Sequence, residues 1–436
     1  MMLLPGRFLL RFLRVFNGGS CFVEFTIGGE GTLTATGSSK DAGIGGGQYG
    51  NGANVTVNDG VVIATGGNKG AGIGGGQQGK GGAVTINGGT VIATGGEGAF
   101  KDPAMGIGAG YGDDLHGTIT VGGGISMFVS SDNTTWTDYD GSTRTQYMKV
   151  PTPIVLTSST TAWSDGNFYT LGDEDVTIAD RVTVTGSVTL LLPKDKTLTA
   201  SKGITVSKNN SLTISGTGTL VANPNGENHK AGIGGDDHDC GVVTINGGTV
   251  TATGGSGAAG IGGGGYGGDG GIITINGGTV TATGGSTSGN YGGAGIGGGC
   301  SSSDGGDGGI VTISGGTVTA TGKKGGAGIG GGDDGVGGTV TINGGKVTAN
   351  GGSQAAGIGG GSEGSGGFVT INGGTVTATG GDDGGAGAGI GKGYDGDSDG
   401  TLKIGTGVSV TVSTDNTNWS TYDGSRTRYM KADIVN

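Results

Sequence analysis

The residues best spaced for chemistry lie near the end of the chain. Asp395-Gly396-Asp397-Ser398-Asp399-Gly400 sets carboxylates at alternate positions and then a glycine, as the first half of a calcium loop does. Asp395, Asp397 and Asp399 are therefore the candidate Ca2+ ligands, and Ca2+ is the one cofactor the sequence raises. The match stops there. The position that needs a bidentate glutamate is Thr406, Lys403 falls among the would-be ligands, and the corresponding stretch Tyr111 to Gly117 keeps one of the three acids. A solvated acidic turn is the simpler reading.

Other acids come in pairs, Asp113-Asp114, Asp236-Asp237, Asp333-Asp334 and Asp382-Asp383, each in a Gly-rich loop. A general acid and base need a fixed geometry about the reacting bond, which adjacent loop carboxylates do not supply. No residue is assigned a catalytic role. Gly-Ile-Gly-Gly-Gly has the look of a phosphate-cradling turn, but that turn occurs once, between a strand and a helix. Here it recurs with no helical pattern beside it, so close backbone packing accounts for its glycines. Trp136 and Tyr139, with their counterparts Trp419 and Tyr422, are candidate glycan contacts through flat aromatic faces. Their place at the ends of repeat arrays makes them caps first.

All these residues hang on a repeat. Val-Thr-Ile-Asn-Gly-Gly-Thr-Val-Thr-Ala-Thr-Gly-Gly, a variable loop, and Ala-Gly-Ile-Gly-Gly-Gly recur around Ile44, Ile73 and Ile107, then around Ile233, Ile261, Ile296, Ile329, Ile358 and Ile390. The steps are 29 and 34, then 28, 35, 33, 29 and 32 residues. A supersecondary unit repeated at such a period marks a solenoid. Gly is 116 of 436 residues, yet collagen is excluded because glycine is not at every third position and there are only 6 prolines. Disorder is excluded by the period-2 Val/Ile/Thr runs kept between the glycines.

The net charge of -12, without a basic run in the repeats, argues against nucleic acid as a partner. No membrane span is present in the sequence. Cys21, Cys240 and Cys300 form neither a metal spacing nor an even disulfide framework, and Cys240 and Cys300, in Gly/Asp-rich loops, read as incidental surface thiols. Residues 1–22 look like a targeting segment, but Arg7, Arg11 and Arg14 interrupt its apolar run. They read as a non-native or weak targeting segment, with a short basic amphipathic helix as the alternative.

Two arrays follow. Residues 23–150 form the first, which lacks a lead-in and is expected to start in mid-solenoid with an open strand edge. Residues 151–162, with Pro151 and Pro153, read as a linker. Residues 163–436 form the second array, with a lead-in at 163–230, repeats at 231–408 and a C-terminal cap at 409–436.

Within a unit, Val243 and Ile245 share a parity, as do Val250 and Ala252, and Ala259 and Ile261. Three short strands joined by Gly-rich corners can coil with these residues inside and Thr outside. The predicted fold is all-β, a right-handed parallel β-helix in two arrays, with coils about 4.8 Å apart. Asn246, Asn276, Asn343 and Asn372 should stack at one corner in the left-handed conformation.

The Ala-Gly-Ile-Gly-Gly-Gly and Val-Thr-Ile-Asn-Gly-Gly units, ending in Trp…Tyr-Asp-Gly…Tyr-Met-Lys, resemble the Gly-rich repeat proteins of bacterial cell surfaces. More loosely the chain resembles pectate-lyase-like β-helices, including non-catalytic carbohydrate-binding ones. The first resemblance implies a secreted or cell-surface, non-enzymatic structural or adhesive module, with glycans or host and cell-surface polymers as partners. The second implies a carbohydrate binder. An enzyme acting on polysaccharide is disfavoured, because the Asn-Thr-Asp, Gly-His-Gly and Arg-Ile-Lys motifs of polygalacturonases are absent. The Thr-x-Thr-x-Thr strands would make a flat hydroxyl face like that of ice-binding solenoids, but Lys346, Asn350, Val61 and Ile63 break it.

Overall fold

In a computed structural model the chain is described except at residues 1, 5–7, 18–19, 29–31, 59, 99–102, 114, 122–126, 134–136, 143–144, 151–152, 225–227, 290, 302–304, 383–384 and 435–436. It divides into two units, Met1–Pro153 and Ile154–Asn436. Among the described residues every regular element is a strand.

Each repeat of the second unit contributes three strands, as Val242–Ile245, Thr249–Thr253 and Ile261–Gly262 illustrate. Equivalent strands of successive coils pair in parallel, giving three long sheets that form the first, second and third faces of a parallel β-helix. The register is uniform. Ile245, Ile275, Ile313, Ile342 and Ile371 stack on the first face, and Val250, Val280, Val318, Val347 and Val376 on the second. Ile261, Ile296, Ile329, Ile358 and Ile390 stack on the third. All fifteen side chains are fully buried, as the shared parity requires.

The third face explains the glycines. After each buried isoleucine the backbone turns through Gly262, Gly297, Gly330, Gly359 and Gly391 at φ between 134° and 148°. A Cβ at Gly330 would fall against the carbonyl oxygen of Gly359 in the next coil, and the same holds up the column. Only glycine satisfies both the dihedral and the close approach. The Asn corner differs in one respect from expectation. Asn276 donates its side-chain amide to Asn246 at 2.9 Å, and Asn372 to Asn343 at 2.9 Å, but Ser314 interrupts the stack. The left-handed position is not the asparagine. It is the second glycine after it, Gly278 or Gly374 at φ 84° and 85°, because the turn reverses there.

The two ends of the second unit are built differently. At the start, Ile154–Val155 already pairs in parallel with Phe168–Thr170, inside the stretch read as linker. Trp163 then fills the end of the core at 0% exposure, stacked on Tyr169 with centroids 5.4 Å apart. Arg181 ties the early coils together, donating to Thr205 Oγ1 at 2.7 Å, Lys202 O at 2.5 Å and Ala231 O at 3.0 Å. At the other end Tyr429–Ile434 runs antiparallel to the last second-face strand, Thr375–Thr379, with Met430 opposite Ala378. Inner isoleucine amides donate to a carbonyl of the following coil, as Ile358 does to Gly389 O at 2.9 Å. Ile390 has no following coil and donates instead to Met430 Sδ at 3.3 Å.

The first unit repeats this scheme at shorter length. Ile44–Gly45, Ile73–Gly74 and Ile107–Gly108 make its third face. Tyr147–Val150 closes the second face antiparallel to Thr90–Thr94, and Ile107 N donates to Met148 Sδ at 3.2 Å. The expected open edge is corrected on the first face. Phe8–Asn17 is a strand, not a helix, and lies antiparallel along Ser20–Gly28, so the first face is covered there. The second and third faces end at Thr32–Thr36 and Ile44–Gly45 with no outer strand among the described residues.

Two substitutions test this account by urea denaturation. Gly330→Ala should lower stability by about 3 kcal/mol or more, from the forbidden dihedral and overpacking together. Met430→Leu conserves volume but leaves the Ile390 amide without an acceptor, which should cost about 1–3 kcal/mol and speed hydrogen exchange at that amide.

Candidate functional site

The faces of the solenoid carry ladders of like residues. On the second face Thr251, Thr281, Thr319, Thr348 and Thr377 stand in register, with Lys346 and Asn350 interrupting the neighbouring columns. The first face holds a feature that the sequence reading missed. Ile272 and Ile310 are successive partners one position before the counted Val-Thr-Ile run, and Phe368 follows beyond Thr339. They are 45%, 49% and 63% exposed, an apolar column beside the threonines. The strand begins one residue earlier than the alternating triplet implied, which turns that extra residue outward.

The residues expected to hold Ca2+ do not converge. Asp395, Asp397 and Asp399 are each exposed, and the Lys392 ammonium donates to the Gly396 carbonyl at 2.7 Å within the same loop. Among the described residues no three His, Cys, Asp or Glu side chains stand close enough to share a metal ion.

Of the candidate glycan contacts, Trp136 lies outside the described residues. Tyr139 packs against the core of its unit and donates its hydroxyl to Gly141 O at 2.7 Å. Tyr422 likewise packs against the second core, with Arg426 5.8 Å from its ring centroid. Trp419 keeps partial exposure but carries the Lys431 ammonium 3.8 Å from its centroid. These aromatics are engaged in the terminal hairpins, and a ligand would compete with lysine for Trp419.

The cysteines read as surface thiols prove otherwise. Cys240 and Cys300 are buried, and burial pushes both thiols up to about 12. Their loops stack coil on coil, so a position that looks like a surface loop in one repeat lies inside the pile. Asp333, in the coil after Cys300, is also buried, at 8% exposure. Burial first, then the charges of Asp334 and Glu363, raise its carboxyl to about 7.

One polar and aromatic cluster stands apart. Tyr266, 52% exposed, stacks on His229 with centroids 4.3 Å apart and planes at 19°, and His238 lies 6.3 Å away. Lys230 bridges Asp236 at 2.5 Å and Asp237 at 2.9 Å, and Arg181 reaches Asp236 at 3.8 Å. Burial alone would lower the Lys230 ammonium, but its bonds to both aspartates outweigh that and hold it above the ordinary range. Backbone bonds set the rings: Tyr266 N donates to Asp237 O at 3.0 Å, and Gly265 N to His229 O at 2.7 Å. Two of the chain's 3 histidines thus meet at one tyrosine. A signal for this existed, since His238 and Tyr266 each follow the repeat isoleucine by five residues.

A model of the beta helix repeat matches nine segments, residues 25–48, 55–77, 84–111, 212–237, 243–265, 273–300, 311–333, 340–362 and 369–391. Together they span just over half of the chain. Neither the curated proteins nor the solved structures searched contain a match. Among the described residues no helix is long and apolar enough to cross a membrane.

The buried carboxyl of Asp333 makes a pH prediction. Its folded value near 7 lies above the unfolded value of about 4, so the folded state holds the proton more tightly. Its contribution to stability should be fully present below about pH 4 and lost as pH rises toward 7. Asp333→Asn should flatten that decline, so thermal melts at pH 5 and pH 8 should differ less in the variant than in the parent.

Proposed function

We propose that the chain, which belongs to the beta helix repeat family and stacks its repeats into long faces, is a non-enzymatic structural or adhesive module. Its setting is the surface of a bacterial cell or the medium outside it, and it works through the length of its lateral faces. The observation that carries this reading is the exposed column of Ile272, Ile310 and Phe368 beside in-register threonines on the first face. Ile272 and Ile310 adjoin and Phe368 lies one coil beyond Thr339, an exposed apolar strip of the kind that marks interaction surfaces, and an adhesive ladder needs no convergent side chains.

A second reading, a non-catalytic carbohydrate-binding β-helix, is favoured by the exposed Tyr266 stacked on His229. Ca2+ enters this reading only as a variable of the binding assay.

Beads coated with the protein should adhere to polysaccharide and cell-wall surfaces and release no sugar from them. The double variant Ile310→Ser with Phe368→Ser should weaken adhesion several-fold without lowering the melting temperature. Turnover of a pectic or other acidic glycan by the purified protein would overturn the non-enzymatic reading. Adhesion indifferent to the double variant would remove the first face from it.

A further inference from the structure

We propose that Tyr266, His229 and His238 form a subsite for a neutral hexopyranose ring of a polysaccharide, with Asp237 and Lys230 at its rim. The inference rests on the carbohydrate-binding reading and adds a place and a sugar class to it.

Within the second unit the aromatic is a local feature, although the first unit carries Tyr49 at the same offset from Ile44. At the same position, five residues after the repeat isoleucine, the following coils carry Ser301, Asp334, Glu363 and Asp395. Tyr266 keeps more than half of its surface in solvent while its ring is held from beneath by His229 and from the chain side by the bond to Asp237 O. A rigid, half-open aromatic face suits the C–H face of a sugar ring, since tyrosine offers a large contact area with little entropy to lose.

His229 supports the ring at a cost. Its Nδ1 is buried and finds no hydrogen-bond partner. An unmatched buried polar atom is unfavourable, and the coil needs no imidazole here, since the equivalent position in the next coil is Gly257. A histidine that serves only as a flat floor under a tyrosine makes sense if the tyrosine must be held in place for something.

Charge selects the sugar class. Lys230 and Arg181 are offset by Asp236 and Asp237, so the cluster has no net charge to attract a uronate or phosphate. Neutral hydroxyls, by contrast, can donate to the Asp237 carboxylate and accept from the Lys230 ammonium. Both groups are partly exposed at the rim of the stack.

The test uses the full chain on an array of neutral and acidic glycans, followed by titration of the strongest ligands. Neutral hexose polymers should bind, and Tyr266→Ala should weaken them at least tenfold. Tyr266→Phe, and Tyr394→Ala at a tyrosine of similar exposure in another loop, should bind as the parent does. His238→Ala should also weaken binding, which guards against a defect peculiar to one variant. Glycan binding indifferent to Tyr266→Ala and His238→Ala would overturn the subsite while leaving the carbohydrate reading in place. Hits confined to acidic glycans would overturn the sugar class. An array without hits, with and without Ca2+, would remove the carbohydrate reading and this proposal together, leaving the adhesive one to stand on the bead assay.

Discussion

The structure depends on how closely one coil's backbone approaches the next at the third face. The glycine after each buried isoleucine sits at a dihedral that other residues rarely adopt, and its missing Cβ is where the next coil's carbonyl lies. That contact fixes the stacking of all three faces, because a coil cannot tilt or slip without driving backbone into backbone. Uniform register follows, and with it the columns of identical isoleucine, valine and alanine in the core. The glycine content is therefore not looseness. It is what lets short strands approach closely enough to form continuous sheets.

The same constraint limits where function can reside. In a coil whose interior is a column of aliphatic residues, polar groups are pushed to outward strand positions and loops. The outward positions are in register, so they form stripes rather than converging sites. The loops vary most, and there polar and aromatic side chains of neighbouring coils meet, as His238 and Tyr266 do. Among the described residues most ion pairs lie in the early part of the second unit, around Arg181, Lys202, Lys208 and Lys230, with Arg428–Asp382 at its far end. Those of Arg181, Lys202 and Lys208 bridge one coil to another.

Much of the fold was readable because each residue's role is repeated many times. The parity of Val243 with Ile245 and of Val250 with Ala252 places them inward, and it does. What escaped was information carried between coils rather than along the chain. Cys300 looks like a loop residue until the coils on either side are stacked on it, and burial then follows. The left-handed turn belongs to Gly278, not Asn276, because the asparagine is occupied in bonding the coil before it. The helix alternative for residues 8–17 failed because an adjacent strand edge outweighs weak amphipathic periodicity. The stacking of His229 on Tyr266 is likewise carried between coils, and it is visible only when two unequal loops are laid in register.

The sulfur at the end of each third face has a consequence for how such a chain changes over generations. Met148 and Met430 each take the last isoleucine amide in the same way, although three third-face strands precede one and nine precede the other. The terminal hairpin thus reads only the coil it touches and is blind to the number beneath it. Each interior coil presents to its neighbour the surface it receives. Length is then a parameter that unequal recombination can alter one whole coil at a time, without redesigning either terminus.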